Sequence, residues 1–222
     1  MQFDTKLLMA LSAWQSGWGE NPTIRRKRAE TLKYEVRRFP LKFRTVSVPC
    51  YRKRFLYKGD LVAIVMRDES NEGATSWTTD IRFAEQFKGL IRPDAVSAAI
   101  FKHTPEQGEV IISLQALWAD SDFVVAANAF RESYPDDARG LFNFTDSQSE
   151  VILEVPLRGS EIIALTGVSS SFDELCDTAG APEAERNSRF KELIDSGAPL
   201  DRPQYLSKEA TQRAISNTIR KI

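Results

Sequence analysis

An α+β fold is expected from three observations. Amphipathic helical patterns occupy the first 40 residues and the last 50 or so, and strand-like runs rich in Val, Ile, Thr and Tyr fill the middle. The 222-residue length suits one domain with helical additions, divided as basic N-terminal helices (1–42), a core (43–168) and C-terminal helices (169–222). With 42% hydrophobic and 27% charged residues the chain is neither disordered nor membrane-like, and no apolar run approaches the roughly 20 residues that span a bilayer.

In order along the chain, Phe3, Leu7, Leu11 and Trp14 recur at helical spacing over residues 2–16, with Gly17 and Gly19 as the stop. Lys6 before Leu7–Leu11 imitates a secretory signal, but no small-residue cleavage site follows, so an amphipathic docking helix is expected. Thr23 can cap a second helix running to about Arg38, where Pro40 ends it. Its outer faces carry Arg25, Arg26, Lys27, Arg28, Lys33, Arg37 and Arg38.

Alternation from Phe43 to Tyr57 predicts a strand in which Pro49 marks an edge or a bulge. A turn at Gly59-Asp60 leads to the apolar run Leu61–Met66. Then Ser76-Trp77-Thr78 reads as a strand feeding a short helix capped by Thr79 or Asp80, with Phe83, Ala84 and Phe87 as its buried stripe and Gly89 as its stop. Trp77 alternates into the core. Further strands are expected near 95–102, 109–113, 151–156 and 161–165, and a helical turn over 114–118. Residues 122–134 fit strand and helix equally, broken by Pro135. Short helices are expected at Ser171-Phe172-Asp173, from Pro182 to about Ser196, and from Ser207 to Ile222, the last packing on the core.

Cys50 and Cys176 are too few for a disulfide framework, and His103, the sole histidine, sits in a loop-like context. No metal and no histidine-based triad is expected, and a reducing cytoplasm is the natural location. The net charge of −1 conceals an asymmetry: residues 1–58 hold 14 Lys plus Arg against 4 Asp plus Glu, the remainder 16 against 27. A polyanionic partner for the front of the chain follows, with a merely solvated basic face as the plain alternative.

The segment Gln148-Ser149-Glu150 stands before the apolar Val151-Ile152-Leu153. Extended spacing would place Gln148 and Glu150 on one face, an amide and a carboxylate in one pocket. Alone, this is an ordinary polar turn before a strand.

Three separated pieces carry a resemblance: Tyr51-Arg52, then Ser76-Trp77-Thr78-Thr79-Asp80 with Ala84 and Phe87, then Gln148-Ser149-Glu150. Their order over residues 48–165 resembles the Arg-Ser-Glu, cholera-toxin-like class of mono-ADP-ribosyltransferases, which includes many bacterial toxins and effectors. The resemblance implies a split mixed β-sheet core that takes NAD+ as substrate. It implies Glu150 as the carboxylate facing the developing oxocarbenium ion, Ser76 and Thr78 as hydroxyls orienting the ribose or Glu150, and Arg52 with Tyr51 on the dinucleotide. Arg54 competes with Arg52 for the arginine role.

Chemistry supports these roles independently. Cleaving the nicotinamide–ribose bond builds positive charge that a carboxylate stabilises, and a guanidinium fork matches phosphate oxygens. Gln148 stands where arginine-modifying members carry glutamate, and an amide cannot take a proton from guanidinium, so a non-arginine acceptor is implied. Phe142 and Phe144, in the loop before Gln148, could stack on a base. With Arg25, Arg26 and Arg28 as a phosphate footprint, an RNA or DNA base is the favoured acceptor. A protein side chain is the alternative, a binding module without catalysis the third reading. A toxin of this kind would act in the cytoplasm of its own or a target cell, and an antitoxin or immunity protein would be its partner.

Overall fold

The computed structural model describes residues 3–17, 21–61, 63–64, 67, 70–90, 92, 95–143, 148–167, 180–195 and 204–220. In chain order the elements are α1 (Thr5–Gln15), α2 (Pro22–Val36), β1 (Cys50–Leu56), α3 (Lys58–Leu61), β2 (Ala74–Thr78), α4 (Ile81–Gln86), β3 (Ser97–His103) and β4 (Val110–Ser113). There follow α5 (Leu114–Trp118), α6 (Ser121–Ser133), α7 (Pro135–Phe142), β5 (Glu150–Glu154), β6 (Ile162–Gly167), α8 (Glu183–Asp195), β7 (Gln204–Tyr205) and α9 (Lys208–Arg220). This is an α+β protein in which every strand pair of described register is antiparallel.

The elements gather into two compact units, neither continuous in sequence. The first comprises Met1–Arg52, Asn71–Phe83 and His103–Pro156. Its strands lie in the order β4-β5-β2-β1, and α1 and α2 help build its core. Leu7, Leu11 and Trp14 of α1 are at most 1% exposed and pack with Leu32 and Val36 of α2, Phe123 of α6, Leu141 of α7 and Ile152 of β5. Burying side chains of this size stabilises by about 1.5–3 kcal/mol each, so α1 is a rigid part of the core.

Local chemistry explains the ends of these elements. Asp4 caps α1 through its bond from the Leu7 N–H (3.0 Å). The cap of α2 is Asn21 rather than the expected Thr23: its Oδ1 accepts from Thr23 and Ile24, and Pro22 takes the first turn, where no N–H is needed. The strand expected from Phe43 starts only at Cys50, because Pro49 cannot donate to a ladder and Leu41–Phe43 winds into a 3₁₀ turn that buries Phe43. The turn at Gly59-Asp60 is instead the short helix α3, and of the apolar run behind it residues 62, 65 and 66 lie outside the described residues.

The ambiguous 122–134 segment is helical. Phe123, Ala127 and Phe130 are buried at helical spacing, and Asp120 caps the helix. Pro135 does not leave a loop behind it; it occupies the first turn of α7. That helix crosses α1 closely at Gly140, where an added Cβ would lie 2.2 Å from the Ser12 carbonyl oxygen. The Ser12 hydroxyl donates to the Asp137 carbonyl and accepts from the Leu141 N–H (3.1 Å). His103 is no surface loop residue either: it ends β3, with Nε2 2.8 Å from Glu109 Oε2 and its ring beside Trp77.

The second unit comprises Lys53–Ser70, Ala84–Lys102 and Leu157–Ile222, with strand order β1-β3-β6-β7. Ser207 caps α9, and Thr211 in that helix accepts from the Leu165 N–H of β6 (3.3 Å). The terminal helix thus docks on the sheet, as its pattern suggests. Lys53 is buried and donates to the Glu85 (3.0 Å) and Gly89 carbonyls; burial lowers its pKa. Phe87, expected in the stripe of α4, is 39% exposed because the helix ends at Gln86. The helix expected at Ser171-Phe172-Asp173 lies outside the described residues. Among the described residues no helix is long and apolar enough to cross a membrane.

Candidate active site

The antiparallel ladder of β2 and β5 sets Thr78 opposite Glu150, Trp77 opposite Val151 and Ser76 opposite Ile152. Opposed residues share a face, so Ser76, Thr78 and Glu150 project to one side and Trp77 to the other, where it is buried in agreement with its expected core role. The last turn of α1 covers the first of these faces. Trp14 Nε1 donates to Ser76 Oγ (3.2 Å) and, more weakly, to Glu150 Oε1 (3.4 Å). Gln15 Nε2 donates to Glu150 Oε2 (3.2 Å).

Glu150 is only 8% exposed. Burial pushes its pKa up, against the hydrogen bonds from Ser76, Gln15 and Trp14, which favour the charged form. The donors around the carboxyl group are therefore neutral. In so enclosed a setting a carboxylate acts strongly on nearby positive charge.

Arg52 joins this cluster through the backbone. Its Nη1 donates to the Ser76 carbonyl (2.9 Å) and its Nη2 pairs with Glu72 (2.8 Å), both side chains being largely buried. Arg54, the competing candidate, belongs to the second unit and pairs with Asp60 at 3.2 Å. The guanidinium associated with Ser76 is therefore that of Arg52. Tyr51 is half-buried and stands opposite Thr78 in the β1–β2 pair.

Gln148 is half-buried, and its carbonyl accepts from the Thr78 hydroxyl at 2.6 Å. The Ser149 carbonyl accepts from the Thr79 N–H (3.2 Å). Ser149 has φ of 44°, so the chain turns there, and the extended spacing that would align Gln148 with Glu150 does not hold. Phe142 is not in a loop: it ends α7, packs edge-on against Trp118 (5.4 Å) and lies under the Arg131 guanidinium (4.4 Å). Phe144 lies outside the described residues.

Arg25 and Arg26 line a pocket of about 360 Å³ together with Glu30, Glu72 and Glu154. Carboxylates thus temper the basic face of α2 at Arg25 and Arg26, and Arg28 is half-buried. Among the described residues, no group of three or more His, Cys, Asp or Glu is arranged to hold a metal ion.

Sequence reasoning missed Trp14, Gln15 and Glu72. Trp14 stood in a helical apolar stripe, which predicts burial but not the partner of its indole N–H; nothing local marked Gln15 or Glu72. In comparisons with known proteins, no family model matches the chain, and no curated protein or solved structure is significantly similar to it.

Proposed function

We propose that this chain is an NAD+-dependent mono-ADP-ribosyltransferase of the Arg-Ser-Glu class, its strands being the split core of that family. The observation that carries the reading is that Ser76 and Glu150 share one face of the β2–β5 ladder beneath α1, while Arg52, distant from both in sequence, reaches the backbone carbonyl of Ser76. In this mechanism the nicotinamide leaves with the electron pair of the glycosidic bond. Glu150 accepts a hydrogen bond from the ribose 2′-hydroxyl and stabilises the cationic anomeric carbon, and the acceptor nucleophile then attacks and sheds its proton. Arg52 anchors Ser76 and serves the pyrophosphate by exchanging Glu72 for phosphate oxygens.

The acceptor in this reading is a nucleic-acid base. Gln148 is an amide that cannot deprotonate a guanidinium, and the first 58 residues are strongly basic. A protein side chain is the second reading. It is favoured by the mixed lining of the pocket, in which Glu30, Glu72 and Glu154 face Arg25 and Arg26. The cytoplasm is the place of action, and a toxin of this class would be held by a neutralising protein.

The deciding experiment incubates purified protein with labelled NAD+ and RNA, DNA or cell protein, followed by mass spectrometry of each fraction. Salt-sensitive label on nucleic acid, lost in Glu150→Gln, is the expected result. Label on protein alone selects the second reading. Absence of adduct and of nicotinamide release rejects the transferase.

A further inference from the structure

The last turn of α1 supplies two side chains whose placement packing alone does not explain. Gln15 is 8% exposed; its amide N–H reaches Glu150 Oε2, while its own Oε1 is buried with no hydrogen-bond partner among the described residues. Leaving a buried acceptor unpaired is unfavourable. An apolar residue would avoid that penalty, so the bond to Glu150 is the gain the position offers. Trp14, 1% exposed, shares one N–H between Ser76 Oγ and Glu150 Oε1. Both donors sit on a helix fixed by Leu7 and Leu11, so their directions are set before any ligand arrives.

We infer that Trp14 and Gln15 are positioning residues for Glu150: one N–H on each carboxylate oxygen fixes the group's orientation, so that its remaining lone pairs are presented to a ribose hydroxyl of the dinucleotide. The inference rests on the transferase reading for its substrate, but not for the placement of the carboxylate. The elements packed on Glu150 present Trp14 and Gln15 from α1 and Ser76 and Thr78 from β2, none of which titrates in the working range. Among the described residues, Arg52 and its partner Glu72 are tied to this network through the backbone of Ser76, and Glu154, at the far end of β5, is paired with Lys33. Donors favour the ionised carboxylate, so removing either raises the pH at which Glu150 ionises.

The test uses Gln15→Met, which keeps the length of the side chain, and Trp14→Phe, which keeps a ring, with thermal melting to verify folding. Two readouts are taken. In protein labelled with ¹³C-carboxyl glutamate, the Glu150 resonance, assigned by its loss in Glu150→Gln, is titrated. In kinetics, NAD+ turnover is followed against pH. The expected result is a titration midpoint shifted upward in both variants, with kcat lower by roughly ten- to a hundredfold, KM for NAD+ within about twofold, and the acid limb moved to higher pH.

A midpoint and kcat unchanged in folded variants would overturn the inference. So would a fall in kcat without movement of the midpoint, since that is the signature of a structural role. Where one variant fails to fold, the other decides. If wild-type protein shows no turnover of NAD+, the transferase reading fails, and the NMR midpoints still decide whether α1 sets the state of Glu150.

Discussion

The Thr78 hydroxyl donates to the carbonyl of Gln148 at 2.6 Å, and the same oxygen accepts from the Asp80 N–H at 3.0 Å. One buried side chain thereby ties the end of β2, the cap of α4 and the turn that delivers Glu150. Thr78→Val keeps the shape and deletes both bonds. It should cost about 1–3 kcal/mol, measured by urea unfolding, whereas Thr78→Ser should stay close to wild type. Equal stability of the valine variant would show that the turn is held by other contacts.

Glu150 makes a pH prediction of definite sign. Its folded pKa lies above the ordinary value of 4.5, so between the two values the folded state binds more protons than the unfolded one. Its contribution to stability is full below the unfolded value and is lost as pH rises through the folded one. The melting temperature of wild type should fall relative to that of Glu150→Gln across this window, and the two curves should run parallel below it. On the proposed transferase reading, turnover of NAD+ by the same variant should fall by several orders of magnitude while NAD+ binding, followed by calorimetry, changes little.

The α1–α7 crossing is tight enough to be tested by one methyl group. In Gly140→Ala the new Cβ would meet the Ser12 carbonyl and the Ser16 Oγ, each at 2.2 Å. Helix propensity favours alanine by about 1 kcal/mol. The overlap is with backbone and should outweigh it, giving a net loss of about 1–3 kcal/mol in chemical denaturation. Because α1 carries Trp14 and Gln15, NAD+ turnover should drop as well.

Arginine identity separates the two candidates on β1. Arg52→Lys keeps a charge but cannot hold the Ser76 carbonyl and Glu72 with one planar fork. It should lower kcat/KM for NAD+ by at least about tenfold. Arg54→Lys, which changes the pair with Asp60, should have a smaller effect. The reverse order would move the arginine role to Arg54.

Elements specified by their own residues were legible. The stripe of α1, the Ser76–Thr78 strand running into a capped helix, and the amphipathic α9 all follow from periodicity and capping within a dozen residues. Breakers were harder to interpret. Pro135 is expected only to break the ambiguous 122–134 segment, yet it begins a helix, since proline is disfavoured inside a helix but suited to its first turn. β7 has two residues and depends on β6 for its ladder, a partner that no local pattern names.

The same division holds at the site. By itself the sequence determined an α+β chain and the residue types and order of Arg52, Ser76 and Glu150, because these depend on local pattern and on chemistry. The tertiary structure alone decided which arginine accompanies Ser76, that Gln148 lies beyond a turn at Ser149, and that the carboxyl group of Glu150 is enclosed by Trp14 and Gln15. Those outcomes rest on hydrogen bonds between residues up to 136 positions apart. Contacts of that range are fixed by how α1 packs against the sheet, and no window of sequence contains both partners.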